Sequence, residues 1–549
     1  MDSSDQKFDA WNPGLSSTIP PRLWPLVSLF RPENGIVDYA AAKEAADFCG
    51  LHPVDMAALK LERLIAHELL IRVTADLSVP DGPNYEELGL NLRGMVACIN
   101  ETYVVPHLDE LNAKFVALKA AVANFARTVL DEHVFARPVD APEKPGFFAR
   151  LTGQKVAAPL PEPTPQDILE IWRSQMETDH DPLRNAVLKS LIRVVGGHIG
   201  KRGRIMADAD ILTRFATNMC MNGYGSTKVG EWIEPIFAEA ARSENYRFLP
   251  AQPKPFFMNV KGASASGKST IRPQQRALAE KLGIPWEDFA LISPDYWRKY
   301  LLDYDSLGPD YKFGAMMTGQ ELEIIDKKLD AYVEAKAQNK NIPHLLIDRF
   351  RFDSFSTDAE GKISSRLLTR FGDTVFLFFL ITPPAETVER AWKRGLETGR
   401  YKAVDDLLFH NIEAYTGMPQ LFFSWLGSAR KNIHFEFLDN DVPLGQRPRT
   451  VAYGWNDTMT ILDVECLHNI DRFRAVNVDA TQPEDVLGIP PELTFFDRCV
   501  GNFQTLKIVD PRSRAVTAQA LGGAWQDTPS SDKISDADVA QALTLGSWT

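Results

Sequence analysis

The feature that most constrains this fold is an alternation of short apolar runs and amphipathic stretches that begins at Pro253. "PFFMNVKG" reads as an apolar strand leading into a glycine loop. "STIRPQQRALAEKLG" reads as a helix stopping at Gly283, with Pro273 tolerated because it lies in or near the first turn. "FALIS", "HLLIDRF", "VFLFFLIT" and "IHFEFLDN" supply four further strands. "GQELEIIDKKLDAYVEAKAQN" and "ETVERAWKRGLETG" are amphipathic helices between them. Strands alternating with helices predict an α/β fold with a mostly parallel sheet flanked by helices.

The remaining sequence has a different texture. At 549 residues the chain is too long for one core. Residues 1–136 read as a helical domain, 137–166 as a proline-rich linker and 167–250 as a second helical region. The α/β domain spans 251–445, and 446–549 form a small mixed extension. Within that extension "TVAYGWNDTMTILDVE" suggests a hairpin around Asn456-Asp457, "AVNVDA" a strand, and the polar end a short helix. In the helical half, His67 and His107 read as structural or exposed, since neither has a partner histidine at a ligand offset. "GGHIGKRGR" (196–204) reads either as a phosphate-facing loop or as a solvated turn.

The net charge of −13 gives no broad electrostatic footprint for nucleic acid or anionic lipid. Five scattered cysteines without C-x-x-C spacing suit reduced thiols and exclude a zinc site of cysteine–histidine type. The polar, acidic start has no secretory pattern, and no run approaches the ~18 apolar residues of a membrane helix. A cytoplasmic protein is the expectation.

Chemistry concentrates in "GASASGKST". Gly262, Gly267, Lys268 and Ser269 satisfy G-x-x-x-x-G-K-[ST]. Glycines let a backbone curl its N–H groups around phosphate, and the following helix adds the positive end of its dipole. On this reading Gly262, Ala263, Ser264, Ala265, Ser266, Gly267, Lys268, Ser269 and Thr270 bind the phosphates of a nucleotide. Lys268 spans the β- and γ-phosphates, and the Ser269 hydroxyl ligates Mg²⁺. An N-K-x-D base reader of GTPases and an L-S-G-G-Q signature are both missing. That leaves small-molecule kinases and generic ATPases.

Asp295, just past the second strand in "LISPDYWRKYL", is a candidate base for an acceptor hydroxyl. Its structural alternative is a cap on the helix that follows. Arg298, one turn on, is a candidate substrate contact. Asp348 at the end of "HLLID" is either a second magnesium ligand or an ordinary strand-end aspartate. "ERAWKRGLETGRYKAV" holds Arg390, Arg394 and Arg400 with Lys393, suiting a lid whose guanidiniums meet a transferring phosphoryl group. Arg390 and Arg394 share a helix face. The alternative is a solvated basic face paired with Glu386 and Glu389.

The order of "GASASGKST", "SPDYWRKYL", "GPDYKFGAMMTGQELEIIDKKLDAYVEA", "HLLID" and "ERAWKRGLETGRYKAV" resembles the zeta-toxin family of P-loop kinases. The resemblance covers about a third of the chain, from Pro253 to Asp441. It implies a P-loop NTPase-type sheet, ATP and Mg²⁺ as cofactors, and transfer of the γ-phosphate to a nucleotide-linked metabolite. Known members use UDP-N-acetylglucosamine-type sugars, and a related effector branch uses NAD. It also implies catalytic roles for Asp295, Lys268, Arg394 and Arg400, and substrate contacts at Arg298 and Glu321. A role as toxin or effector, with an antitoxin or inhibitor protein as partner, follows from the same likeness. The family often has a more glycine-rich arginine stretch than "LETGRYKAV", and a minimal toxin lacks the long flanks found here. The competing expectation is a regulatory ATPase whose helical flanks bind a partner protein.

Overall fold

The computed structural model describes residues 8–82, 86–135, 164–349, 371–426, 431–443, 445–489, 491–527 and 532–549. The chain divides into two compact units. One comprises Met1–Pro21, Leu70–Ala97 and Ala241–Thr549; the other comprises Arg22–Leu69 and Cys98–Ala240. The proline-rich stretch at 137–166 lies outside the described residues except at its end. There the Thr164 hydroxyl accepts from Asp167 N–H and caps the helix Pro165–Thr178.

The first unit is built on one sheet. Its strands are β1 (Phe256–Lys261), β2 (Phe289–Ile292), β3 (His344–Asp348), β4 (Thr374–Ile381), β5 (Asn432–Asp439), β6 (Arg449–Trp455), β7 (Thr458–Ile461), β8 (Thr505–Val509), β9 (Val516–Leu521) and β10 (Ala524–Gln526). They are ordered β10-β9-β8-β7-β6-β5-β4-β1-β3-β2. All four pairings within β5-β4-β1-β3-β2 are parallel. Every residue of β1, β2 and β3 is buried, as continuous apolar runs require when both faces of a sheet are covered. Met258 of central β1 stands between Leu346 of β3 and Phe376 of β4. The connection from β1 to β2 runs past β3 on one side of β1, and that from β3 to β4 crosses to the other, a reversal of strand order that opens a crevice at the carboxyl end of β1.

Beyond β5 the sheet continues, with β6 antiparallel to β5 and β7 antiparallel to β6. Asn456 turns the expected hairpin with φ of 39°, and its side-chain Oδ1 accepts from Ile433 N–H at 2.9 Å. The strand expected at "AVNVDA" is reduced to a single bridge from Val476 to Leu487. Asn477 N–H donates to Val486 O at 2.8 Å beside that bridge, and its side chain accepts from Asp479 N–H at 3.1 Å, which turns the chain just beyond it. The expected terminal helix is Asp536–Gln541.

The second unit is helical, with Tyr39–Cys49, Leu108–His133, Pro165–Thr178, Pro182–Arg202 and Ala209–Cys220 among its helices. Trp172 is fully buried, and its indole donates to His133 Nδ1 at 2.7 Å. His67 is buried and His107 exposed. "GGHIGKRGR" is neither loop nor solvated turn for most of its length. It closes the helix Pro182–Arg202, which stops at Gly203 with φ of 74°. His198 is fully buried there, accepting from Met206 N–H at 3.0 Å and contacting Phe48 O at 3.0 Å. The five cysteines are unpaired thiols. Among the described residues no helix is long and apolar enough to cross a membrane.

Candidate functional site

The glycine loop bridges β1 and the helix Arg272–Lys281. Two residues hold it in left-handed backbone, Ala265 at φ 61° and Gly267 at φ 91°. A Cβ on Gly267 would lie 2.3 Å from Asn440 Nδ2, and one on Gly262 would lie 2.4 Å from Ser266 Oγ. Side chains at the ends of the neighbouring strands pin the loop. Asn440 Nδ2 and Thr382 Oγ1 donate to Ser266 O at 2.7 and 3.1 Å. Ser264 and Ala265 are partly exposed, and the exposed Thr270 donates its hydroxyl to Gly267 O at 2.7 Å. The Lys268 ammonium folds back onto Ala263 O (2.8 Å) and Gly262 O (3.2 Å). Burial lowers its pKa, the carboxylates of Asp348 and Asp295 oppose that shift, and Arg394 and Arg400 add to it. These four charges and Lys268 share one electrostatic neighbourhood.

Asp348 pairs in register with Val260 at the end of β1. Its Oδ2 accepts the Ser269 hydroxyl at 2.7 Å and lies 3.6 Å from Arg272 Nη2. A hydroxyl and a carboxylate thus converge beside the loop, a pair of hard oxygen donors of the kind Mg²⁺ takes.

Asp295 does not cap a helix. It lies within the turn Pro294–Trp297, and its carboxylate accepts from Arg298 Nε at 2.8 Å and Arg400 Nη2 at 2.6 Å. Burial alone would raise its pKa, but Arg400, Arg298 and Arg394 together hold it well below the usual carboxylate range. The side chain is still 44% exposed, so solvent reaches the acid from one side. Arg298 also donates to Ala315 O at 2.6 Å and Thr318 Oγ1 at 3.1 Å. Glu321, fully buried, follows in the first turn of the helix Gly319–Gln338.

The arginine stretch divides. Arg390 turns away, its Nη2 donating to Asn440 O (2.8 Å) and Val442 O (3.2 Å) while its Nε lies 3.6 Å from Glu386. Glu389 accepts instead from the Trp11 indole at 2.9 Å, and Lys393 is exposed. Arg394, on the helix Pro384–Thr398, acts on Lys268 and Asp295. Gly399, at φ 74°, ends that helix and delivers Arg400, 6% exposed, onto Asp295.

Sequence reasoning missed a further group. Lys402 Nζ lies 2.7 Å from His410 Nδ1 and 3.2 Å from Asp406. Burial brings the lysine down to about 8 against the pull of Asp406, and Arg394 and Asp295 both act on it. Burial first, then Lys402 and Lys268, push His410 far below its ordinary value, so the ring is neutral. The signal was weak: Asp406 and His410 stand four apart on the helix Val404–Leu426, and Lys402 lies two residues before that helix begins. A cavity of about 230 Å³ is lined by Pro383, Asp439, Asp441, Arg449 and Phe473 among others.

No family profile and no curated protein matches this chain. Among solved structures, a chain from the PezAT chromosomal toxin–antitoxin system of Streptococcus pneumoniae aligns at 16% identity. The alignment covers 37% of this chain and 75% of that one, with a TM-score of 0.27, too low to establish a shared fold.

Proposed function

We propose that the sheet-bearing unit is an ATP- and Mg²⁺-dependent kinase that phosphorylates a hydroxyl of a nucleotide-linked metabolite, a UDP-N-acetylglucosamine-type sugar or NAD. The observation that carries this reading is the cluster at the carboxyl end of the sheet. One carboxylate, Asp295, is held by Arg298 and Arg400 in the same field as Lys268 and Arg394.

The roles follow from partner exchange. Lys268 rests on two loop carbonyls, weak partners that phosphate oxygens replace. Ser269 and Asp348 would hold Mg²⁺, which neutralises phosphate charge when bound. Asp295, clamped by two guanidiniums, is a poor base. Moving Arg400 from Asp295 to an incoming phosphoryl group raises the basicity of the acid as the phosphoryl group gains its counter-charge. Asp295 then accepts the proton of the acceptor hydroxyl. Arg298 keeps the carboxylate oriented, and Arg394 and Arg400 stabilise the transferring group. Glu321 serves as a substrate contact. An enzyme that drains such metabolites suits a toxin or effector, with an antitoxin or inhibitor protein to restrain it.

The test is incubation with γ-labelled ATP and a metabolite extract, then identification of the labelled product by mass. ADP formed together with a new phosphomonoester, and lost in Asp295→Asn, supports the kinase. ADP with free phosphate alone, unaffected by Asp295→Asn, points to the partner-regulated ATPase.

A further inference from the structure

The motifs of the site lie between Gly262 and Arg400, yet the turn bearing Asp295 is gripped by a remote part of the chain. The turn Pro294–Trp297 and the short helix Arg298–Leu301 present two sides. Asp295 and Arg298 face each other and Arg400. Tyr296, Trp297 and Lys299 instead meet the segment Leu70–Ala97, which belongs to the same compact unit.

Each of these contacts is specific. Trp297 is fully buried, and its indole donates to Thr74 Oγ1 at 3.2 Å. The Thr74 hydroxyl spends its own proton on Leu70 O at 2.7 Å, which leaves the oxygen free to accept. Arg93 Nη1 donates to Tyr296 O at 3.2 Å. Gly89 lies so close that a Cβ there would stand 2.7 Å from the Tyr296 ring. Glu86 lies 3.8 Å from Lys299.

The same segment reaches two other elements that carry site residues. Asp81 pairs with Arg276, on the helix that follows the glycine loop, and accepts from the Trp286 indole at 3.3 Å. Asp76 pairs with Lys336 and accepts the Tyr332 hydroxyl at 2.5 Å; both partners lie on the helix that begins beside Glu321. Backbone bonds from Leu249 N–H to Asp76 O and from Ser78 N–H to Arg247 O, both 2.8 Å, fasten the segment ahead of β1.

We infer that Leu70–Ala97 is a positioning element of the catalytic unit. It holds Asp295 at its working distance from the glycine loop through Thr74, Gly89 and Arg93. A four-residue helix and a 3₁₀ turn have too few bonds of their own to fix a side chain, so tertiary contacts must do so. The inference rests on the kinase reading for its consequence in rate, but not for its consequence in structure.

The experiment uses the full chain with Arg93→Ala, Arg93→Lys and the near-isosteric Thr74→Val. Hydrogen exchange of the amides at 294–301 is measured beside kcat and the KM for ATP. Displacing a catalytic group by an ångström costs about 100-fold in rate. Arg93→Ala and Thr74→Val should speed local exchange and lower kcat about 100-fold, with KM for ATP changed less than about threefold. Arg93→Lys should recover most of the rate. Unchanged exchange at 294–301 in both Arg93→Ala and Thr74→Val overturns the inference, as does a general defect in which Tm and kcat fall while KM for ATP rises by well over about threefold. If the wild-type chain phosphorylates no acceptor, the kinase reading fails, and the exchange data still decide the positioning role.

Discussion

Replacing Arg400 by alanine separates the two jobs the structure gives this residue. In the resting site its guanidinium bonds the Asp295 carboxylate at 2.6 Å and is one of the charges that depress that acid. In the proposed reaction it leaves Asp295 for the phosphoryl group. The first loss raises the basicity of Asp295, and the second removes charge stabilisation at the transition state. An arginine acting on a transferring phosphoryl group is worth about 10³-fold or more, or about 4 kcal/mol. The ion pair itself is discounted, because the aspartate side chain is 44% open to solvent. The rate loss should therefore dominate, with kcat falling about 1,000-fold. The pH profile supplies an independent sign. A folded-state pKa held below its unfolded value keeps the carboxylate ionised, and its stabilising pairs intact, above the unfolded pKa of about 3.9. That stabilisation is lost as pH falls through the depressed value. In Arg400→Ala the acidic limb of kcat/KM moves to higher pH, and the acid dependence of Tm flattens. Arg298 remains, so the shift is partial. Single-turnover rates and a pH series of kcat/KM for ATP and the identified acceptor measure both effects. A rate loss under about threefold with an unmoved acidic limb would refute the assignment.

Lys268→Ala should lower turnover by about 100-fold or more while changing stability by less than about 1 kcal/mol, because the side chain is partly exposed and hydrogen-bonds loop carbonyls instead of packing in the core; parallel kinetics and thermal melts check this. Gly267→Ala meets both a positive φ of 91° and Asn440 at 2.3 Å, so it should cost ~1–2 kcal/mol in backbone strain and abolish ATP binding measured by calorimetry. Lys402 loses its proton near pH 8, so triphosphate affinity should weaken as pH rises through that value. Lys402→Met should remove this alkaline limb, and a limb that persists would place the titrating group elsewhere.

The parallel half of the sheet was legible because its strands are uninterrupted apolar runs bounded by loops, a pattern that survives without tertiary information. The glycine loop was legible for a similar reason, since its spacing is itself the geometry. The arginine stretch was legible only in composition. Arg390 and Arg394 share a helix face, but the strand-end carbonyls of Asn440 and Val442 capture Arg390, and sequence spacing does not reveal such a competitor. Asp295 read as a candidate base with helix capping as its alternative, and sequence could not separate the two because its other partner, Arg400, lies more than a hundred residues away. "AVNVDA" misled because its pairing with the segment at 485–488 stops at a single bridge, and the Asn477 side chain turns the chain back by accepting from Asp479 N–H. The grip of Thr74 and Arg93 on the Asp295 turn leaves no periodic trace, since it joins segments on opposite sides of the helical region.

The antiparallel pairing of β6 on β5 also covers one edge of the parallel strands. Were the chain to stop after residue 445, the backbone of "NIHFEFLD" would become an open sheet margin, a ready template for recruiting other chains into aggregates. In the present chain that margin is displaced to β10, only three residues long and exposed along its length, which is too short to seed such growth.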